Sequence, residues 1–151
     1  MDHAQELETW EINNRLNLLF LDSAPLESLD AKVEKSKTVT GHFAHIHNVR
    51  LMWLKASAPE LMAGVAKIEG NPTVEVLKEN LTASAKAMYA LLERSYAAGK
   101  VKNFKPHPAA FLGYLISHES FHRGQAELVL RQVGTPLPDK AAYALWEWGA
   151  H

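Results

Sequence analysis

The clearest pattern in the chain is the recurrence of apolar residues every three to four positions. It occurs in four long stretches, which are ELETWEINNRLNLLFLDSA, SKTVTGHFAHIHNVRLMWLKAS, TVEVLKENLTASAKAMYALLERSYAA and the segment from Pro108 to Gly134. This spacing places the apolar side chains on one face of an α-helix. The alternation of apolar and polar residues that is typical of strands is missing. We therefore predict an all-α fold, a four-helix bundle with a short C-terminal helical segment.

Turn and capping residues mark the ends of the predicted helices. Pro72 opens the third helix with Asn71 as its N-cap, and Gly99 stops it. Asp139 is expected to cap the short C-terminal segment. The stretch from Pro59 to Gly70 is a long connection with room for a helical turn, and we expect it to overhang one end of the bundle.

Composition narrows the class of protein. Hydrophobic residues make up 47% and charged residues 22% of 151 residues, and no linker or repeat divides the chain, so we predict one globular domain over residues 1–151. A formal net charge of -1 gives no reason to expect a nucleic-acid or membrane partner. The absence of cysteine excludes disulfides and thiolate ligands. With a polar N-terminus and no apolar run of about 20 residues, we expect a cytoplasmic protein.

Two histidines interrupt the apolar stripe of the fourth helix one turn apart. His118 and His122 fall in the same stripe as Leu115 and Val129, and Gln125 continues it. A buried imidazole without a partner costs about 1–3 kcal/mol, so two of them in a core-facing seam need something to bind. Side chains four residues apart share one helix face, which suits two nitrogens on one metal ion. The alternative is a histidine pair hydrogen-bonded to neighbouring side chains.

The second helix offers a third ligand, since it carries His42, His45 and His47. We take the apolar arc of this helix to consist of Val49, Met52, Trp53 and Ala56. His42 and His45 lie on this arc or at its edge, whereas His47 points away and is expected to face solvent or to cap. Three imidazoles leave a coordination position open for water or substrate, as in catalytic zinc sites. Three further histidines lie at the termini or in loops and are not expected to be ligands: His3, His107 and His151.

The segment HESFHRGQ also matches the H-E-x-x-H signature of zinc peptidases, in which the glutamate is the general base. The longer metzincin form needs another histidine where this chain has Leu128, and no strand is predicted that could hold a peptide. Glu119 also has a simpler explanation, a surface ion pair with Arg123 one turn later, worth about 0.3–0.5 kcal/mol. We favour this ion pair over a general-base role for Glu119, and we disfavour the peptidase.

A larger set of residues resembles a known family. FAHIHNVRLMWL, followed later by LISHESFHRGQAELVLRQVG and YALWEWG, resembles the DinB/YfiT-like superfamily of four-helix-bundle metalloenzymes. Its members carry a histidine on helix two, in a context that includes Asn or Asp and then Trp, and H-x-x-x-H-R-G-Q on helix four. The resemblance covers essentially the whole chain. It implies a metal triad of His45, His118 and His122.

His45 is selected by this resemblance because Asn48 and Trp53 follow it at the family's offsets. His42 and His47 remain rivals for the same role. The resemblance also implies that relatives often have an acidic residue at the position of Arg50.

The same resemblance implies a chemistry. It indicates a divalent metal, with zinc or nickel favoured over iron or manganese, a small-molecule substrate, a low-molecular-weight thiol such as bacillithiol, mycothiol or glutathione as cosubstrate, and often a homodimer. Within the motif it assigns Gln125 a supporting or packing role and Gly124 a close helix contact.

We therefore expect a metal-dependent enzyme whose three-histidine site activates a thiol or a water, as a thiol-dependent transferase or isomerase or as a hydrolase. Trp53, Tyr114 and Phe121 are candidate pocket walls, although ordinary core packing explains them equally well. The alternative is a metal-binding or stress-response bundle without turnover, and a fourth protein ligand such as His42 would favour it. A bundle that binds no metal is the remaining interpretation.

Overall fold

The structure is a computed structural model that describes residues 2–150. It contains four long helices and one short helix, which are α1 (Ala4–Ser23), α2 (Val39–Ser57), α3 (Val74–Ala98), α4 (Pro108–Gln132) and α5 (Asp139–Ala144). Short 3-10 turns lie at Leu26–Ser28 and Pro59–Met62. Residues 2–150 form no strand, which confirms the predicted all-α bundle. No helix in this part of the chain is both long and apolar enough to cross a membrane.

Two apolar clusters, one in each half of the bundle, show how the helices run. The first cluster includes Phe20 of α1 and Phe43 of α2, and the second includes Trp10 of α1 and Leu54 of α2. Since α3 and α4 also contribute to both clusters, every helix can be given a direction. The chain descends along α1, ascends along both α2 and α3, and descends along α4. Helices α2 and α3 therefore run parallel, and α4 runs antiparallel to both.

Parallel neighbours need a connection that returns the chain to the other end of the bundle. The segment between α2 and α3 does this, because its side chains contact the second cluster near Met62 and reach the first cluster at Ile68. Asn48 of α2 fixes the returning segment by donating to the Ile68 carbonyl (3.0 Å) and accepting from its N–H (2.9 Å). The predicted helical turn is present at Pro59–Met62. The predicted overhang at one end is wrong, since the connection runs along the bundle's side.

The helix ends follow capping chemistry, with two corrections. The hydroxyl of Thr73, rather than the side chain of Asn71, accepts the N–H of Val76 and caps α3. Gly99 ends α3 as predicted, in the left-handed conformation that glycine adopts without strain (φ 74°). Asp139 is the first residue of α5 and makes no capping hydrogen bond through its side chain.

A layer of polar side chains separates the two apolar clusters at the middle of the bundle. We call it the polar layer, and its members are Asn13, Asn14, Asn17, Arg50, Ser84, Glu119 and Arg123. All of them are buried and each of the four long helices contributes at least one. Buried polar groups are tolerated only where they bond to one another. The layer therefore fixes how each helix is rotated about its axis.

Candidate metal centre

Helices α2 and α4 bring three histidines together near the middle of the bundle. His118 and His122 lie one turn apart on α4, with ring centroids 4.7 Å apart. His45 on α2 faces both of them, with centroid distances of 5.2 Å to His118 and 4.5 Å to His122. The two helices run antiparallel here, since Trp53 at the other end of α2 contacts Phe111 near the start of α4. The three histidines named by the sequence therefore converge on one point.

Their nitrogen atoms have a spacing that suits one metal ion. One ring nitrogen from each of His45, His118 and His122 lies within 4.8 Å of the other two. The Nε2 atoms of His45 and His118 are 3.3 Å apart. Two nitrogens held at about 2.1 Å by one tetrahedral ion are about 3.4 Å apart. The donor set fits a divalent transition metal such as zinc.

His42 lies beside this group without joining it. Its Nδ1 is 2.9 Å from Nδ1 of His122, and its side chain is only 2% exposed. Because Nδ1 of His122 takes part in this contact, Nε2 is the nitrogen of that ring that could bind an ion. The Nε2 of His42 has no hydrogen-bond partner within residues 2–150. His42 is therefore a neighbour of one candidate ligand and does not belong to the three-nitrogen group.

The environment keeps these imidazoles neutral. Burial, followed by the nearby histidines His45, His118 and His42, lowers the pKa of His122 to about 4. Burial, Lys37 and His45 lower the pKa of His42 to about 4 as well. Burial is also the main cause that lowers the pKa values of His45 and His118. A neutral imidazole is the form that binds a metal, so the cluster is ready to do so at neutral pH.

Glu119 lies between the two α4 histidines in sequence but faces the opposite way. Its carboxylate is 1% exposed and pairs with Arg50, at 2.6 Å from Nη2 and 2.8 Å from Nε. Asn13 and Asn17 donate to the same carboxylate at 2.9 and 3.0 Å. Burial alone would raise the pKa of Glu119, but the charge and hydrogen bonds of Arg50, with the bond from Asn17, outweigh it and lower the pKa. The carboxylate belongs to the polar layer, which leaves it no access to a nucleophile at the histidines.

The predicted surface ion pair between Glu119 and Arg123 is wrong. Both side chains are buried, and Nη1 of Arg123 donates to Oδ1 of Asn13 (2.9 Å) and of Asn17 (2.7 Å). Burial lowers the pKa of Arg123 to about 10, so the guanidinium stays charged at neutral pH. The core face of α4 is thus rotated toward Glu119 and Arg123, and Gln125, predicted in the seam, is exposed.

The core face of α2 also differs from its prediction. Met52 is half exposed, whereas His47 and Arg50 are buried. His47 does not face solvent; its Nδ1 lies 3.0 Å from the Ser84 hydroxyl and its Nε2 2.8 Å from the Ala66 carbonyl. Burial is the main cause that lowers its pKa. With both nitrogens engaged, His47 anchors the connection between α2 and α3 and is no longer a rival ligand.

Two further histidines lie away from this cluster. His107 caps α4 by accepting the N–H of Ala110 at 3.1 Å, and His3 stacks on Tyr96. His151 lies outside the described residues.

The structure places the three proposed pocket walls in two separate ring contacts. Trp53 and Tyr114 contact each other edge to face, and Tyr114 is 41% exposed. The rings of Phe121 and His122 contact each other edge to face, and Phe121 is 58% exposed, so it is not a core residue. Gly124 does not make the expected close helix contact, since a Cβ there would meet no described atom within 4 Å.

A comparison with protein families shows the family of the chain. The family model described as the DinB family matches residues 1–148. The chain belongs to the DinB family. No curated protein matches the chain in a separate search. For this DinB family member, the helical-bundle architecture agrees with the family match, and the geometry supplies a three-histidine cluster that could hold a metal.

Proposed function

We propose that this DinB family protein is a divalent-metal-dependent enzyme in which His45, His118 and His122 hold the ion. The observation that carries the proposal is the convergence of three imidazole nitrogens within 4.8 Å of one another. All three side chains are neutral at pH 7 because burial lowers their pKa values. Imidazole ligands suit zinc, nickel and iron, and the sequence resemblance adds manganese as a further candidate.

The open arrangement of the ligands supports catalysis over a purely structural role. A bound divalent ion lowers the pKa of a coordinated water or thiol and so supplies a nucleophile. His45 and His118 are partly exposed, so the face that their Nε2 atoms share can be reached from solvent. His42, the residue that could have closed the coordination sphere, is held against His122 instead. We propose a small-molecule substrate and a thiol or water nucleophile at this face.

Three neutral ligands leave the full positive charge of the ion uncompensated. The acidic group nearest in sequence, Glu119, is neutralised by Arg50 within the polar layer. A cationic centre favours binding of an anionic thiolate or hydroxide. A low-molecular-weight thiol therefore fits the site as cosubstrate, and the homodimer implied by the sequence resemblance stays a prediction.

The zinc-peptidase alternative lacks its general base. That mechanism needs a glutamate beside the metal-bound water, within hydrogen-bond reach. The Glu119 carboxylate accepts hydrogen bonds from Arg50, Asn13 and Asn17 and is turned into the bundle. In the H-E-x-x-H segment of this chain, the two histidines are therefore the proposed ligands, and the glutamate has a structural role.

Metal content tests the ligand assignment. We expect the wild-type protein to retain about one divalent ion per chain after dialysis, and the variant His118→Ala/His122→Ala to retain none, as measured by elemental analysis. His107→Asn is the matched control, because it removes the histidine that caps the same helix and asparagine preserves the cap. Equal metal content in wild type and the double variant would refute the site.

Turnover separates the enzyme from a non-catalytic metal-binding bundle. We expect metal-loaded wild type to accelerate the reaction of at least one low-molecular-weight thiol with an electrophile, or the hydrolysis of an ester or amide, in a panel of both. His118→Ala should lose that activity, and His107→Asn should keep it. A protein that binds metal but accelerates none of these reactions would favour the non-catalytic alternative.

A further inference from the structure

The contact between His42 and His122 joins two buried rings through a single hydrogen bond. Their Nδ1 atoms are 2.9 Å apart, and both side chains are buried. Two nitrogens at this distance share one proton, so one ring donates and the other accepts. A neutral imidazole carries only one N–H, so the direction of this bond decides which nitrogen of each ring is protonated.

Only one direction leaves His122 able to bind a metal. If His42 donates, the single proton of His122 must sit on Nε2, and that nitrogen has no lone pair for an ion. If His122 donates from Nδ1, its Nε2 is free to ligate. His42 must then accept at Nδ1 and carry its own proton on Nε2.

We infer that His42 is a positioning residue that accepts the Nδ1–H of His122 and thereby holds His122 in the tautomer and orientation needed for metal binding. This inference rests on the proposed metal site. Ligand histidines generally donate their second N–H to a carboxylate, a backbone carbonyl or a water. Here the acceptor is a neutral histidine, so orientation is obtained without adding a negative charge beside the ion.

The second ring nitrogen of His42 determines which variants test this role. Nε2 of His42 is buried and has no hydrogen-bond partner in the described part of the chain. An asparagine at the same position would place its Oδ1 close to where Nδ1 of histidine lies, and it has no atom at the position of Nε2. Asparagine therefore keeps the acceptor and has no group at the position of Nε2, while its amide NH2 takes the place of Cδ2. Leucine has nearly the shape of asparagine but cannot accept a hydrogen bond.

The test compares zinc affinity in three proteins, wild type, His42→Asn and His42→Leu, by competition with a chromophoric chelator. We expect His42→Leu to bind zinc about 10- to 100-fold more weakly than wild type, the range typical for loss of a ligand's hydrogen-bond partner. His42→Asn should stay close to wild type. Circular dichroism and thermal unfolding of the metal-free proteins show whether each variant is folded.

A second readout reports the tautomer directly. In the zinc-loaded wild type, ¹⁵N-edited spectra of the imidazoles should show a protonated, slowly exchanging Nδ1 on His122, and in His42→Leu that proton should exchange faster. Equal affinities and equal exchange in the asparagine and leucine variants would overturn the role of His42 while leaving the metal site intact. A wild-type protein that binds no zinc would remove the proposed function and this inference together.

Discussion

At the scale of single residues, Glu119 shows how strongly the role of a side chain depends on its burial. The sequence presents it within a peptidase-like motif, and the structure places it as the only buried acid in residues 2–150. Its carboxylate balances Arg50 directly, and Arg123 lies in the same network through Asn13 and Asn17. Removing that single negative charge leaves buried cations without compensation, which is among the costly changes in a protein core.

Glu119→Gln should therefore destabilise the protein strongly. We expect the free energy of unfolding, measured by urea denaturation with a chelator present, to fall by about 3–5 kcal/mol. Glu127→Gln, on the same helix, is the matched control, since Glu127 pairs with the exposed Arg131. That change should cost no more than about 0.5 kcal/mol. Similar losses in both variants would contradict the structural role given to Glu119.

The lowered histidine pKa values predict a pH dependence of stability. Unfolded histidines bind protons below about pH 6.5, whereas folded His42 and His122 do so only near pH 4. The unfolded state thus binds more protons in this window, so stability rises with pH there and falls on acidification. In chelator, urea denaturation should give a falling free energy of unfolding from pH 6.5 to about 5, above the range where most carboxylates titrate.

The variant His42→Asn/His122→Asn is the control for this slope. It removes two of the low-pKa histidines, so its stability should change less over the same pH window. If the free energy of unfolding of this variant depends on pH as steeply as that of wild type, these histidines do not cause the pH dependence.

At the scale of helices, the sequence predicts where elements lie better than how they are rotated. The periodic stretches locate the four long helices correctly. The predicted core faces of α2 and α4 are wrong. Apolar residues such as Met52 and Leu128 are exposed, whereas Arg50 and Glu119 are buried. A hydropathy pattern assigns charged residues to the surface, because it contains no information on the partners from other helices that neutralise them. The buried asparagines of α1 were the available signal, since they fall within that helix's apolar stripe.

The start of α3 gives a test at this scale. Thr73→Ala should lower the free energy of unfolding by about 1 kcal/mol, because it removes the hydroxyl that accepts the N–H of Val76. Asn71→Ala lies before the cap and should cost less than about half of that by the same measure. A larger loss of unfolding free energy for Asn71→Ala than for Thr73→Ala would contradict this assignment and support Asn71 as the cap, as the sequence alone predicted.

At the scale of the whole molecule, the site depends on a topology that the sequence pattern does not encode. Helical periodicity carries no direction, so the parallel course of α2 and α3 could only be inferred from the length of the connection between Pro59 and Gly70, which we expected to overhang one end of the bundle. The convergence of three histidines was predictable, since His118 and His122 share a helix face and the family resemblance selected His45. The separation of His42 from this cluster was not predictable, because it depends on which ring nitrogens of α2 and α4 lie next to each other.

The central claim is an open metal site with three histidine ligands. X-ray absorption at the zinc edge of the loaded protein tests it most directly, because it counts the imidazoles around the ion. We expect three imidazole nitrogens at about 2.0–2.1 Å and one further light-atom ligand that is not an imidazole. The spectrum of His42→Asn should give the same count. Four imidazoles in the wild type, or an ion bound without imidazole, would contradict the account.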